Sequence, residues 1–542
     1  MKEYIVVAKD ESVIDRLHTE LTKTTVPGPM VDAAVPNRAV EVANPRLANP
    51  RITHYFLTDA EAEILKGASG VVAVHTPPGA GTKIPFVLPQ TTATTQLLTA
   101  FNNTKGNFNR NSAADQYNVN WGLRRTSVKA AEFKIGTTYS YDVDGAGVDI
   151  VIMDDGIQGD HPEFLDVTGA TRVQQLDWYA ATGVPGVMPR RHYDVSGVAE
   201  GEHGTHVAAI AAGKTFGYAK NARIYSIRIF GAADQTIPDA DQFDLIRIWH
   251  SKKPIDGKTG ARRPTIVNMS WGYAWYYDNQ AGRPIINAIS YRKVLHSYTT
   301  PVNPQIQYGQ ISSTANPYGG LHGFRVPSVD AEAQDCESAG VVMVHSAGNS
   351  GHKIDTNAGV DFNNYYTTTQ NWAGMIPIGQ PIYYQQGSSP RTINNITVSS
   401  GDDITVLVSN QLKDRLAVYS ERGPFCDVVA PGSNITSATS KKSSFNPMQY
   451  VWKSASSADT SNKVCKISGT SMAAPQVTGT LALYLSRNPT AKPSAAKAWI
   501  ANIGIKNQVL TSIATDDFAN TRALLGGSNN YLYNPYHSGF KD

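Results

Sequence analysis

Cysteine is nearly missing from this chain: Cys336, Cys426 and Cys465 are the only three in 542 residues. An odd, small number in so long a chain argues against a disulfide framework, and the spacing offers no metal-ligand set. The thiols read as small buried apolar residues, with a Cys426–Cys465 bridge left open. Long apolar runs are missing too, and no segment approaches the roughly 20 residues of a membrane-spanning helix. The opening Tyr4-Ile5-Val6-Val7-Ala8 is too short for a secretory signal and reads as a strand. Secretion by the usual route is therefore disfavoured. Net charge is also small, +3 from 48 basic and 45 acidic residues, so neither nucleic acid nor a membrane is implied as a partner. What is plentiful is glycine (45) and proline (30), in a chain 41% hydrophobic. That is a globular composition rich in turns, long enough for a large core and more than one domain.

Residues 1–77 read as a small α/β unit in the order β-α-β-α-β, with strands at Tyr4–Ala8, Ile52–Leu57 and Val71–His75. Its second helix opens with Thr58 as cap and an acidic first turn. Residues 78–115, rich in Pro, Thr, Asn and Gly, read as a linker. A large domain over 116–510 follows, with insertions near 274–325, 352–390 and 440–460, then a C-terminal extension over 511–542.

Five stretches of the large domain carry chemistry. Val148–Met153, apolar except for Asp149, ends in Asp154-Asp155-Gly156, a buried strand delivering a carboxylate at its C-terminal end. Glu202-His203-Gly204-Thr205-His206 leads into small residues that let a helix pack closely. The strand Thr265–Met269 runs into Ser270-Trp271-Gly272, and Val341–Ser346 into Ala347-Gly348-Asn349. In Ser468-Gly469-Thr470-Ser471-Met472-Ala473-Ala474-Pro475 a turn at Gly469 precedes helical spacing through Val477 and Leu481. Ser471 then lies at a helix N-terminus, where free N–H groups and the dipole favour an anion. A metal site built from Asp154, Asp155 and Asp160 lacks a recognised loop spacing. His203 and His206 lie three residues apart without H-E-x-x-H, and His206 reads as structural.

Taken together, G-T-S-M-A-A-P, D-D-G followed by H-P-E-F, H-G-T-H-V-A, S-W-G and A-G-N resemble the motifs of subtilisin-like serine proteases (subtilases, peptidase S8) over about residues 116–510. The resemblance implies an α/β, subtilisin-like three-layer fold with a mostly parallel central sheet, preceded by a small α/β unit similar to a subtilase pro-domain. It implies a serine endopeptidase with Asp154, His203 and Ser471 as catalytic residues and Asn349, with the Ser471 N–H, as oxyanion hole. Ser270, Trp271 and Gly272 would pair with an extended protein or peptide substrate. It further implies a zymogen whose N-terminal unit inhibits intramolecularly, with no linker bond singled out for activation. Asp155 stands where many members have Ser or Thr, although kexin-like members also carry Asp-Asp-Gly. Ala209 replaces a usual glycine. The short Lys214–Phe216 connection resembles the proteinase K branch and leaves no room for a calcium loop. No cofactor or metal is expected for the chemistry. Structural calcium stays open but unassigned, because Asp427 sits where proteinase K-like relatives help hold calcium, and a purely structural carboxylate is equally open. The alternative is a structural or assembly protein on a subtilase scaffold with dormant catalysis. Signal-less subtilases occur inside cells and in large phage particles, so the resemblance implies an intracellular or virion-associated location. An esterase would need a G-x-S-x-G elbow, which Ser471 lacks.

Overall fold

Along the strand Asp149–Asp154, Ile150 and Ile152 join one apolar core and Val151 and Met153 another. A strand buried on both faces in a layered α/β sheet sorts its side chains in this way. Thr265–Met269 does the same, with Ile266 on one side and Val267 and Met269 on the other. The computed structural model describes residues 1–23, 38–79, 82–88, 97–98, 102–104, 107–109, 120–131, 139–197, 200–276, 286–311, 320–369, 379–409, 411–445, 449–450, 462–510 and 522–537.

These strands belong to a ten-stranded sheet. Its order is Val173–Gln174, Arg223–Arg228, Asp149–Asp154, Thr265–Met269, Val342–Ser346, Ile396–Val408, Val428–Pro431, Asn530–Tyr531 and Ile505–Lys506, with Gln411–Leu416 paired to Ile396–Val408. Neighbours run parallel as far as Asn530–Tyr531, and Ile505–Lys506 and Gln411–Leu416 are antiparallel. Helices Glu202–Ala212, Thr470–Arg487 and Pro493–Ile503 fill one core, while Trp178–Thr182, Gln242–Lys252 and Pro327–Ser338 fill the other. This is the expected three-layer α/β arrangement. The carboxyl ends of Asp149–Asp154, Thr265–Met269 and Val342–Ser346 lie side by side, where such sheets place their sites.

The N-terminal unit is an antiparallel sheet in the order Val42–Asn44, Ile52–Leu57, Lys2–Ala8, Val71–His75, with helices Glu11–Thr22 and Asp59–Lys66. A reciprocal capping box of Thr58 and Glu61 starts the second helix. Ile5, Val7 and Ile52 form an apolar cluster with Ala331 of helix Pro327–Ser338. Beside it the buried Arg46 lies 3.2 Å from Asp244 and 2.9 Å from Glu332, and Arg51 forks onto Asp335 at 2.8 and 2.9 Å. His75 Nε2 accepts the Ser328 N–H at 3.3 Å in that helix's first turn. The unit is thus seated on two helices of the large domain by one apolar cluster and paired charges.

Two of the expected insertions meet in one place. Ile286–Tyr291, Val294–Val302, Tyr365–Thr368 and Ile382–Tyr383 form a separate four-stranded antiparallel sheet around Ile289, Tyr366 and Tyr384. Residues 277–285, 312–319, 370–378, 446–448 and 451–461 of the insertions lie outside the described residues, as do 511–521 and 538–542 of the C-terminal extension and most of the 78–115 linker. Asn530–Tyr531, past the expected domain end at 510, completes the central sheet. The three cysteines are buried and free, so no Cys426–Cys465 bridge forms. Among the described residues no helix is long and apolar enough to cross a membrane.

Replacing Arg46 with Met leaves Asp244 and Glu332 buried together without their shared cation. Breaking such a network costs about 3–5 kcal/mol. Urea unfolding of the whole chain should show a lower midpoint for Arg46→Met, and an unchanged midpoint would contradict this account of the docking.

Candidate active site

Asp154 is the last residue of its strand and is fully buried. Its two carboxylate oxygens lie 2.8 and 3.0 Å from Nδ1 of His203, the second residue of helix Glu202–Ala212. The carboxylate accepts a hydrogen bond from the Nδ1 proton, which leaves Nε2 as the basic nitrogen. Nε2 is buried with no hydrogen-bond partner. Burial works against the charged imidazole, but the Asp154 charge and hydrogen bond, with Asp155 and Glu202 behind them, hold the His203 pKa above its ordinary value. Helix and strand can approach this closely because residue 204 is glycine. A Cβ there would lie 2.3 Å from the Gly156 carbonyl oxygen.

Asp155 does separate work. Its carboxylate accepts the N–H groups of His203 at 3.1 Å and Gly204 at 2.6 Å, capping a helix whose own cap residue, Gly201, has no side chain to offer. Burial first and Asp154 second push its pKa up to about 7. From sequence Asp155 stands out as a departure from the usual residue and as a candidate metal ligand, not as a helix cap. The signal available was a helix opening without Ser, Thr, Asp or Asn at its cap.

Ser471 is the second residue of helix Thr470–Arg487, and its hydroxyl donates to the Ser270 carbonyl at 2.7 Å. The structure therefore joins Asp154 to His203 directly and leaves the Ser471 hydroxyl turned toward Ser270. Pro475, inside the same helix, has no N–H to give to the carbonyl four residues back, which is that of Ser471. The Ser270 hydroxyl donates to that freed carbonyl at 2.9 Å and accepts from Asn268 Nδ2 at 2.8 Å. Thr478 in turn donates to Asn268 Oδ1 at 2.8 Å. Neither Asn268 nor Thr478 stands out from sequence. Asn349 Oδ1 accepts from the N–H and hydroxyl of Thr470, both at 2.9 Å, so its Nδ2 stays buried and without a partner.

Residues 82–88 do not hang free as linker but lie along this cleft. Lys83–Pro85 pairs antiparallel with Trp271–Tyr276, setting Pro85 opposite Trp271, Ile84 opposite Gly272 and Lys83 opposite Tyr273. The Phe86 N–H donates to the Ser270 carbonyl at 3.1 Å, and the Leu88 N–H to the Ser468 carbonyl at 2.9 Å. Between them the Phe86 carbonyl accepts the Ser471 N–H at 3.2 Å. A Cβ on Gly469 would stand 2.3 Å from that carbonyl oxygen and 3.2 Å from Asn349 Nδ2, so both converge on a position that must be bare. Ser270, Trp271 and Gly272 are thus in place against an extended segment, and that segment is the chain's own.

The remaining candidates fall away from the chemistry. His206 Nε2 meets the Cys465 carbonyl at 3.3 Å, and burial pushes its pKa down to about 3, which keeps it neutral. Asp160 pairs with Lys441 at 3.4 Å, away from Asp154 and Asp155. Asp427 gives one oxygen to Lys497 at 3.1 Å and the other to the Thr397 N–H at 2.9 Å. An ammonium and a backbone amide thus hold the Asp427 carboxylate. Among the described residues no cluster of three or more His, Cys, Asp or Glu could hold a metal ion.

Known proteins resemble the chain along most of its length. It is 24% identical over 427 residues to a cuticle-degrading serine protease of Arthrobotrys oligospora, covering 78% of this chain and 70% of that protein. It is 27% identical over 395 residues to subtilisin-like protease 3 of Pseudogymnoascus destructans, covering 72% and 66%. It is 24% identical over 382 residues to an extracellular serine proteinase of a Thermus species, covering 70% and 60%. A solved structure, of a cold-adapted subtilisin-like serine proteinase, aligns with a TM-score of 0.43 at 20% identity, covering 78% of this chain and 100% of that one.

These relatives correct the expected location. Proteins named for cuticle degradation or as extracellular point against an intracellular or virion-associated home. The short N-terminal apolar run is a core strand of a folded unit, and its length carries no information about export. A sequence model of the Subtilase family matches residues 145–517, well over half of the chain and including every candidate site residue, so the chain belongs to the subtilase family and is a serine-type endopeptidase acting on proteins or peptides.

Proposed function

We propose that Ser471 is the nucleophile, His203 its general base and Asp154 the group that orients and balances the imidazole, and that the chain is made as a zymogen with the N-terminal unit as intramolecular inhibitor. The observation that carries this reading is the buried Asp154–His203 pair with Nε2 unpartnered, beside a Ser471 N–H already bonded to a peptide carbonyl. The Ser471 hydroxyl turns from the Ser270 carbonyl to His203 Nε2 and attacks a substrate carbonyl, passing its proton to the imidazole. Asp154 stabilises the imidazolium without taking the proton. Negative charge grows on the carbonyl oxygen between the Ser471 N–H and Asn349 Nδ2, two donors fixed before the reaction begins. His203 then protonates the leaving amine, and water releases the acyl group by the same route. The substrate strand lies antiparallel to Ser270–Gly272, as residues 83–86 do. The dormant-scaffold alternative is not favoured, since the relatives are named as proteases.

Ser471→Ala should abolish both peptide hydrolysis and labelling by a fluorophosphonate, and substantial turnover in that variant would sink the assignment. Asn349→Ala should lower kcat by about 10²- to 10³-fold with little change in KM. Steady-state kinetics on one peptide separates this from a binding role, in which KM would rise instead.

His203 must be neutral to accept the proton, and its pKa is raised. Activity should therefore fall as pH drops through a value above the ordinary imidazole 6.5. Asp154→Asn removes the charge that raises it. The acid limb of kcat/KM should then move to lower pH while the plateau falls by about 10⁴-fold. A limb that stays in place would show that Asp154 does not set the His203 pKa.

A further inference from the structure

Two side chains of the cleft-bound segment sit in built receptors, and their meaning for specificity rests on the catalytic role proposed for Ser471. Phe86 is buried, with its ring edge-on to His345 at a centroid distance of 6.3 Å. A Cβ on Gly272 would come within 2.5 Å of the Phe86 ring, so the recess exists because residue 272 has no side chain. His345 Nε2 is tied to the Trp271 carbonyl at 2.8 Å, which fixes that wall of the recess. Three residues earlier, Lys83 Nζ lies 2.5 Å from Asp239 Oδ1 and 3.5 Å from Gln242 Oε1. The same ammonium stands over the rings of Trp271 at 5.2 Å and Tyr273 at 5.9 Å, and the Lys83 side chain is only 10% exposed. A carboxylate, an amide oxygen and two ring faces around one ammonium make a receptor for a cation. Because Trp271 and Tyr273 belong to the substrate-pairing strand, that receptor is in fixed register with Ser471.

We propose that the cleft selects a cationic side chain three residues before an aromatic one, cuts after the aromatic residue, and cuts Phe86–Val87 first. The register carries the choice of bond. The Phe86 N–H on Ser270, the Phe86 carbonyl on the Ser471 N–H and the Leu88 N–H on Ser468 hold both sides of that peptide over the nucleophile. The Ser471 oxygen adds to the Phe86 carbonyl carbon and its proton goes to His203 Nε2. The Phe86–Val87 C–N bond then breaks as that proton passes to the Val87 nitrogen. Water adds to the resulting Phe86 ester, gives a proton to His203 and frees the Phe86 carboxyl group, and the proton returns to Ser471. The products are a chain ending at Phe86 and a chain beginning at Val87.

The test uses the full chain, wild type and Ser471→Ala, with amino-terminal sequencing of the purified protein and fluorophosphonate labelling. Wild type should begin at Val87 and label at Ser471, while Ser471→Ala should stay whole. The processed enzyme is then assayed on Lys-Ile-Pro-Phe, Leu-Ile-Pro-Phe and Glu-Ile-Pro-Phe amides bearing a chromogenic leaving group. The lysine peptide should exceed the leucine peptide by about tenfold in kcat/KM, the scale of a partly desolvated cation–π and ion-pair contact. Asp239→Lys should reverse the order of the lysine and glutamate peptides. Equal rates for lysine and leucine, or an unreversed order in Asp239→Lys, overturn the cation receptor. A labelled, active enzyme that begins elsewhere than Val87 overturns the bond assignment and leaves the catalytic role of Ser471 standing. A wild type that neither labels nor is cut overturns that catalytic role itself.

Discussion

The cleft depends on one contact, the hydrogen bond from the Ser270 hydroxyl to the Ser471 carbonyl. Ser270 immediately precedes the strand Trp271–Tyr276 that pairs with an extended segment, and Ser471 lies in the first turn of the helix that carries the hydroxyl. Joined at 2.9 Å, they fix the two backbones to each other at the point where geometry matters most. The contact is possible because the helix does not use that carbonyl. A residue with an N–H at position 475 would claim it, and proline cannot. Proline inside a helix ordinarily costs about 3 kcal/mol. Here Ser270, held in turn by Asn268 and Thr478, satisfies the orphaned acceptor and offsets part of that cost. The gain is positional, since holding reacting groups in place is worth far more to a rate than one hydrogen bond is to stability.

Electrostatics at the other side of the cleft follow from two neighbouring carboxylates with different partners. Burial of its carboxyl and then the neighbouring Asp154 charge drive the pKa of Asp155 up. Asp154 faces the imidazole, and Asp155 faces the amides that open the same helix. That division matters because His203 lies in the first turn, where the positive end of the helix dipole opposes an imidazolium. Asp155 lies against that end and adds, behind Asp154, to the raised proton affinity of a histidine that burial alone would neutralise. The same placement explains the bare Gly204, since any side chain would push the helix off the strand end that supplies both carboxylates.

How much of this was legible in the sequence depended on range. Asp154, His203, Asn349 and Ser471 stand in contiguous motifs, each at the end of an apolar run or the start of a helix, and the resemblance of those motifs to subtilase ones singled them out. The layered sheet was implied by the same resemblance, while the apolar runs by themselves read only as single strands such as Val148–Met153. Asn268 and Thr478 were not legible, because an asparagine in a strand and a threonine in a helix acquire meaning only when two distant segments meet. The accessory sheet was hidden for the same cause, with its strands drawn from two insertions that look unrelated. Residues 82–88 read as linker because Pro and Thr around them suggest a loop. Yet Ile84, Phe86, Val87 and Leu88 form an apolar patch that has no reason to face water. The first apolar run misleads about location because it is a strand of a folded unit, which bears no relation to export.

The N-terminal unit and the cleft segment are bound by different physics, and this sets the order of events in the proposed zymogen. The segment enters the cleft through main-chain hydrogen bonds and through the Lys83 and Phe86 side chains, aided by tethering, which raises its effective concentration without new contacts. The unit behind it is held by Arg46 between Asp244 and Glu332, by the Arg51 fork on Asp335, and by an apolar cluster with Ala331. Cutting the chain within the segment removes the tether but touches none of those contacts. In the proposed zymogen the cleft would from that moment be blocked by the docked unit together with the attached segment ending at Phe86. The free energy that seats the unit on its two helices would then contribute to the latency of the cut enzyme. Buried ion pairs gain little net energy but penalise any mismatched partner, which is the property that the proposed zymogen requires of a fitted and releasable inhibitor.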